Sequence, residues 1–275
     1  MTSQRLELPE PSAAELRAAR ALLRRKERKS QGKFLAEGPQ AVREALKLPG
    51  AVEMVFFRWA AVHDHVDLLD AARAAEVPAY AVSEQNIATL TDTVSPQGVV
   101  AVCRSIDVPL AEAIIDGVNL VVICAQIRDP GNAGTVIRCA DAFGADAVIL
   151  SADSVEVYNP KAVRASVGSL FHLPVVAGVE LAEAIEACRA AGLQVFATDG
   201  EAGVELTDLA ESLPRPTAWV MGNESWGLPT EHLQLADTTV AVPIYGQAES
   251  LNLATAAAVC LYASASAQHA ANLAD

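Results

Sequence analysis

Five apolar runs in the second half of the chain, Leu120–Ala125, Ala147–Leu150, Leu193–Thr198, Thr217–Met221 and Thr239–Val242, are separated by stretches of helical character. Short apolar runs without polar alternation suit strands buried on both faces. Strands separated by helices run parallel, because a parallel pair needs a crossover long enough to hold one. The spacing predicts a mostly parallel sheet covered by helices. A hydrophobic content of 52% with only 5% aromatic residues fits, since helices covering both faces of such a sheet are rich in small residues. No apolar run reaches the roughly 18 to 20 residues that cross a bilayer, and the opening residues lack the apolar core of a signal peptide, so a cytoplasmic location is expected.

The 275 residues allow two cores. The first half reads as a small α/β unit: a helix over 13–30 ended by Gln31-Gly32-Lys33, a helix near Pro39–Lys47, a strand at Glu53–Arg58, a helix near Val62–Glu76, and strands near Ala79 and Gly98–Cys103. The segment from Ile106 to Asp116, with Pro109 and three acids, is the expected boundary. Domains are therefore placed at 1–107 and 115–275.

A net charge of −14 argues against a polyanionic partner, but its distribution argues for one. Between Arg17 and Lys33, eight basic residues meet a single acid, Glu27. Either this is a solvated helix face, or it is an anion-binding patch on an acidic body; the contrast favours the patch and makes Arg24, Arg25, Lys26, Arg28, Lys29 and Lys33 candidate nucleic-acid contacts. The five cysteines stand apart with no Cys-x-x-Cys pair, and the histidines do not cluster. Free buried thiols and no metal site are expected.

Three stretches carry the chemistry: Asp129-Pro-Gly-Asn-Ala-Gly-Thr-Val-Ile-Arg138, Met221-Gly-Asn-Glu-Ser-Trp-Gly-Leu228 and Val242-Pro-Ile-Tyr-Gly-Gln-Ala-Glu-Ser-Leu-Asn252. Each follows an apolar run, so glycine, amide, hydroxyl and one or two chargeable groups collect where the chain leaves strand ends. No Gly-x-Gly-x-x-Gly follows the strand ending at Ala125, which disfavours a Rossmann-type cofactor cradle. The helix opening at Pro130 has Val136, Ala140 and Phe143 on one apolar stripe and Arg138 off it.

In order and spacing these stretches resemble the signature motifs of the SpoU (TrmH-like) RNA ribose 2′-O-methyltransferases, a branch of the SPOUT superfamily, over roughly the C-terminal three fifths of the chain. The resemblance implies a parallel sheet whose C-terminal segment passes through a loop as a deep trefoil knot, S-adenosylmethionine as cofactor, and a homodimer. The segment 33–46 together with 91–101 looks like the substrate-binding domain that precedes the catalytic domain in many such enzymes, which points to ribosomal RNA, 23S most of all. A tRNA 2′-O-methyltransferase, a base-methylating relative and a non-catalytic RNA-binding protein of the same fold are the alternatives.

By the same resemblance Arg138, Asn132, Glu224, Ser250 and Asn252 are the expected catalytic residues. Thr198, Gly222, Val242, Ile244 and Leu251 are expected at the cofactor. A ribose hydroxyl is a poor nucleophile at neutral pH, so Arg138 acts either as proton acceptor or as a clamp on phosphate and nascent alkoxide. Asn132 and Ser250 each have a second reading as helix caps. The stretch 159–171, which also matches the family, offers Lys161 and Arg164 for RNA contact or else forms a plain surface helix.

Overall fold

A computed structural model of the chain describes residues 8–273. They divide into two compact units: the chain up to Ile106 together with Tyr158–Phe171, and Asp107–Val157 together with the chain from His172 onward.

The first unit is built on a four-stranded sheet of β1 (Lys33–Glu37), β2 (Val52–Arg58), β3 (Ala79–Val82) and β4 (Val99–Arg104), in the order β1-β4-β2-β3. β4 runs antiparallel to β1 and β2, and β2 runs parallel to β3. The helix expected over 13–30 is two helices, Ala13–Ala21 and Arg25–Gln31. In one straight helix, positions six apart point about 120° away from each other, so Leu22 and Arg28 could not both turn inward. The break at 22–24 lets Leu22 enter the core while Arg28, 4% exposed, donates Nη1 to the carbonyls of Leu22 and Leu23, each at 2.9 Å. Arg28 thus satisfies carbonyls that the first helix leaves without partners, and it is removed from the candidate RNA contacts. Lys33 is also committed, to Glu53 at 2.6 Å. Burial acts to raise the Glu53 carboxyl, but the hydrogen bonds and charges of Lys33 and Arg104 outweigh it and hold the group below its ordinary range.

Residues 158–171 belong to this first unit, whereas the sequence spacing runs the second domain unbroken from 115 onward. The reason is aromatic: the Phe34 ring stacks on Tyr158 with centroids 4.4 Å apart and on Phe171 at 6.1 Å. Arg164 joins the same contact, pairing with Glu37 at 3.1 Å and with Asp92. It is an internal strut rather than an open cation. The short helix Pro160–Ser166 is accordingly packed, with Ala162, Val163 and Ser166 buried.

The second unit carries a seven-stranded sheet in which every paired strand is parallel: β5 (Leu120–Cys124), β6 (Ala147–Ser151), β7 (Val175–Val179), β8 (Gln194–Thr198), β9 (Val204–Glu205), β10 (Thr217–Met221) and β11 (Thr238–Ala241). Their order is β7-β6-β5-β10-β8-β11-β9. The chain first builds outward from β5 through β6 to β7, then inserts β10 between β5 and β8, so the order reverses beside β5. Open parallel sheets bind ligands outside the carboxyl ends of strands at such a reversal. β5, β6 and β10 are buried along their whole length. The last helix, Leu253–Asn272, lies against β10 and the helix Pro130–Ala142, and the buried Trp219 Nε1 donates to the buried Ser264 Oγ at 2.9 Å. Its other face holds Val259 and Tyr262 exposed, so burial on all sides is not realised. Phe143 is likewise only partly buried, edge-on to Tyr262 at 5.6 Å, at the end of the stripe whose Val136 and Ala140 are inside. All five thiols are free, and burial pushes those of Cys124, Cys188 and Cys260 up to about 12.

Candidate active site

The loop leaving β5 turns sharply at Gln126, whose φ of 57° is left-handed. Its N–H donates to Ser151 Oγ at 3.0 Å, and its carbonyl accepts from Asn223 Nδ2 at 2.7 Å. The helix Pro130–Ala142 then starts with Asp129 as its cap: the carboxylate accepts the Asn132 N–H at 2.9 Å, and Pro130 occupies the first turn where no N–H is needed. Asn132 is therefore not the cap, and its side chain is released for other work. Asp-Pro-Gly-Asn is a recognisable helix start, so Asp129 could have been assigned from sequence and was missed.

Asn132 Nδ2 donates to Glu224 Oε1 at 3.0 Å, and Asn132 Oδ1 accepts from Asn252 Nδ2 at 3.1 Å. Asn252 Oδ1 accepts the N–H groups of Ala254 and Thr255 at 2.9 and 3.4 Å, so Asn252, not Ser250, caps the last helix. Both ends of this chain dictate its polarity. An ionised carboxylate only accepts, which turns the Asn132 amide nitrogen toward Glu224; backbone N–H groups only donate, which turns the Asn252 oxygen toward the helix. The two amides must then meet oxygen to nitrogen, as they do. Glu224 is steadied further by the N–H groups of Arg128 and Asp129, both at 3.3 Å. Three loops far apart in sequence are thus joined through side chains of the three motifs.

The second loop is closed on itself. Asn223 and Gly227 exchange backbone hydrogen bonds of 2.9 and 3.0 Å, and Asn223 Oδ1 accepts the Ser225 N–H at 2.8 Å. Asn223 is 6% exposed and ties this loop to Gln126, a role that sequence reasoning did not assign.

Beside the network lies a cavity of about 580 Å³, in the size range of small-molecule sites. Thr198, Gly222, Val242, Ile244 and Leu251 all line it, together with Glu224 and Ser250. Thr198 Oγ1 donates to the Val220 carbonyl at 3.3 Å, which aims the end of β8 at this space. Asp199, Glu205, Glu224 and Glu249 also line the walls, and among the described residues no lysine or arginine does. Such a wall suits a cationic ligand and repels phosphate.

Arg138 stands apart. It lies six residues along the helix from Asn132, about 9 Å of rise, with its side chain exposed and no carboxylate paired to it among the described residues. Lys161 and Arg164 lie in the first unit. No group of residues with metal-binding composition occurs among the described residues, and no helix there is long and apolar enough to cross a membrane.

The chain matches the SpoU rRNA Methylase family over residues 119–262 and the MRM3-like substrate binding domain over residues 14–101. Fold, site and these matches define an α/β methyltransferase of the SPOUT class. The 23S rRNA (guanosine(2553)-2′-O)-methyltransferase RlmP of Bacillus subtilis (strain 168) is 36% identical over 86% of this chain and 90% of its own. The chain belongs to the SpoU rRNA methylase family. Among solved structures, the SpoU methyltransferase AviRb from Streptomyces viridochromogenes superimposes with a TM-score of 0.80 at 31% identity, covering 94% of this chain and 98% of that one; it has also been solved in complex with AdoMet. An AdoMet-bound rRNA methyltransferase from Sinorhizobium meliloti gives 0.77 at 30% identity, covering 94% and 96%.

Proposed function

We propose that this protein transfers a methyl group from S-adenosylmethionine to a ribose 2′-hydroxyl of 23S ribosomal RNA. The observation that carries the reading is the Glu224–Asn132–Asn252 chain of hydrogen bonds set against the cavity lined by Thr198, Gly222 and Ile244. When bound, S-adenosylmethionine supplies an electrophilic methyl group on a sulfonium cation, and the four carboxylates around the cavity complement a cation. The names of the relatives favour ribosomal over transfer RNA.

In this reading Asn132, Glu224 and Asn252 hold the three loops in register, while the Ser250 hydroxyl on the cavity wall meets the acceptor ribose. Arg138 faces an RNA phosphate and stabilises the developing oxyanion as the hydroxyl proton passes to solvent water, the methyl leaves the sulfonium for the oxygen, and the donor departs as the neutral thioether. Arginine stays protonated in proteins, so a clamp is the physically easier role than a base. The protein acts in the cytoplasm as a homodimer through the apolar stripe around Val259 and Tyr262, and its C-terminal segment is knotted; a one-protomer mass by sedimentation or an unknotted backbone would remove these two points. Mapping of ribose methylation over total RNA, with and without the gene, tests the activity: one 23S position should lose its 2′-O-methyl group, and an unchanged map overturns the proposal.

RNA affinity is assigned to Arg24, Arg25, Lys26 and Lys29, which are exposed, and no longer to Arg28 or Lys33. Replacing these four with glutamine should weaken binding to 23S transcripts and reduce the slope of log affinity against log salt by roughly 3. An unaltered slope would reassign them to solubility.

A further inference from the structure

The protein has few aromatic residues, three Trp, four Tyr and six Phe, and among the described residues only Trp59, Trp226, Tyr245 and Tyr262 are exposed. Two of those four stand on the motif loops. Trp226 is 56% exposed between Ser225 and Gly227, and Tyr245 is 87% exposed beside Ile244; all three neighbours line the cavity. Slack in the chain does not account for Trp226, because its loop is closed by the Asn223–Gly227 pair and anchored to Gln126. An indole on a loop tied back by these hydrogen bonds keeps its ring face open to a flat partner.

We propose that Trp226 and Tyr245 are a stacking platform for unpaired nucleobases next to the acceptor ribose, and so select a locally single-stranded RNA segment. This rests on the function proposed above. The four carboxylates lining the cavity bordered by the chain neighbours of both rings repel phosphate, which leaves the uncharged base face as the part of a nucleotide that these rings can hold. Aromatic rings meet bases without regard to charge, and only bases freed from their helix expose a face to them. A second copy of the chain is the lesser candidate: Phe143, Leu213, Val259 and Tyr262 already form a continuous apolar surface on the last helix and its surroundings, whereas the two loop rings stand singly.

The test uses the full-length protein, 23S rRNA transcript and labelled S-adenosylmethionine, with Trp226→Ala, Tyr245→Ala, Trp226→Phe and Tyr245→Phe. Each alanine variant should raise KM for transcript about 10-fold, more than it lowers kcat, while binding of S-adenosylmethionine by calorimetry stays as in the parent; each phenylalanine variant should recover most of the loss. Oligo(A) should quench the tryptophan emission of the parent more than that of Trp226→Phe. Unchanged KM in both alanine variants overturns the platform, as does dissociation of a parental dimer by either variant, which assigns the ring to a subunit interface. A parent that takes up no S-adenosylmethionine instead overturns the function on which the platform rests.

Discussion

Arg138→Ala is expected to lower kcat for methyl transfer about 10²- to 10⁴-fold, while affinity for S-adenosylmethionine stays within about 2-fold of the parent. The two halves of this expectation have separate structural grounds. Arg138 is absent from the wall of the cavity and has no carboxylate partner among the described residues, so its removal neither uncovers a buried group nor reshapes that cavity. The packing of the helix Pro130–Ala142 is carried by Ala133, Gly134, Val136, Ile137 and Ala140. Truncation at an exposed position costs little stability. A loss confined to turnover would therefore mark a group that acts where charge develops. Arg138→Lys separates the two chemical readings. A lysine retains charge but loses the planar fork that grips phosphate, so a clamp should recover only in part. Because a lysine can also lose its proton, a base should instead recover activity as pH rises. Single-turnover rates against pH distinguish them, and turnover of Arg138→Ala near the parental rate would remove the residue from the mechanism.

The parts of this protein that were legible in its sequence are those in which one local signal and one burial pattern agree. β5, β6 and β10 read correctly because strands buried on both faces are nearly continuous apolar runs. β7 and β9 did not, since β7 leaves Ala177 and Gly178 exposed at the sheet edge and β9 is only two residues long. The motif residues were legible only through their resemblance to the motifs of a known family, and Asn132, Glu224 and Asn252 do meet. Their hydrogen-bond partners were hidden because each bond spans about a hundred residues. Charged side chains were the least legible. Arg28, Lys33 and Arg164 look as available as Arg24 or Lys26 when written in a row. What separates them is a broken helix, Glu53 across the sheet, and Glu37 and Asp92 reached over long loops. The stacking of Phe34 on Tyr158, which moves a whole segment from one unit to the other, leaves no local trace at all.

Gly222→Ala should weaken S-adenosylmethionine binding by about 10- to 100-fold and lower the thermal midpoint, although it adds only one methyl group. A Cβ at Gly222 would lie 2.6 Å from the Gly227 carbonyl carbon, 2.8 Å from its oxygen and 2.8 Å from Leu228 Cγ. The first two are backbone atoms and cannot swing aside as the end of a side chain can. Relief requires the 222–227 loop to open, which breaks the Asn223–Gly227 hydrogen bonds and carries Glu224 away from Asn132. Donor pocket and polar network should then fail together, because one loop serves both. Gly203→Ala provides the contrast: no atom lies within 4 Å of its Cβ, Gly203 does not line the cavity, and both affinity and midpoint should remain parental. Calorimetric titration with S-adenosylmethionine and a melting curve for each variant decide the matter. A Gly222→Ala protein that binds the donor normally would show that the loop can open without cost, and that the close approach of residues 222 and 227 is not what shapes the site.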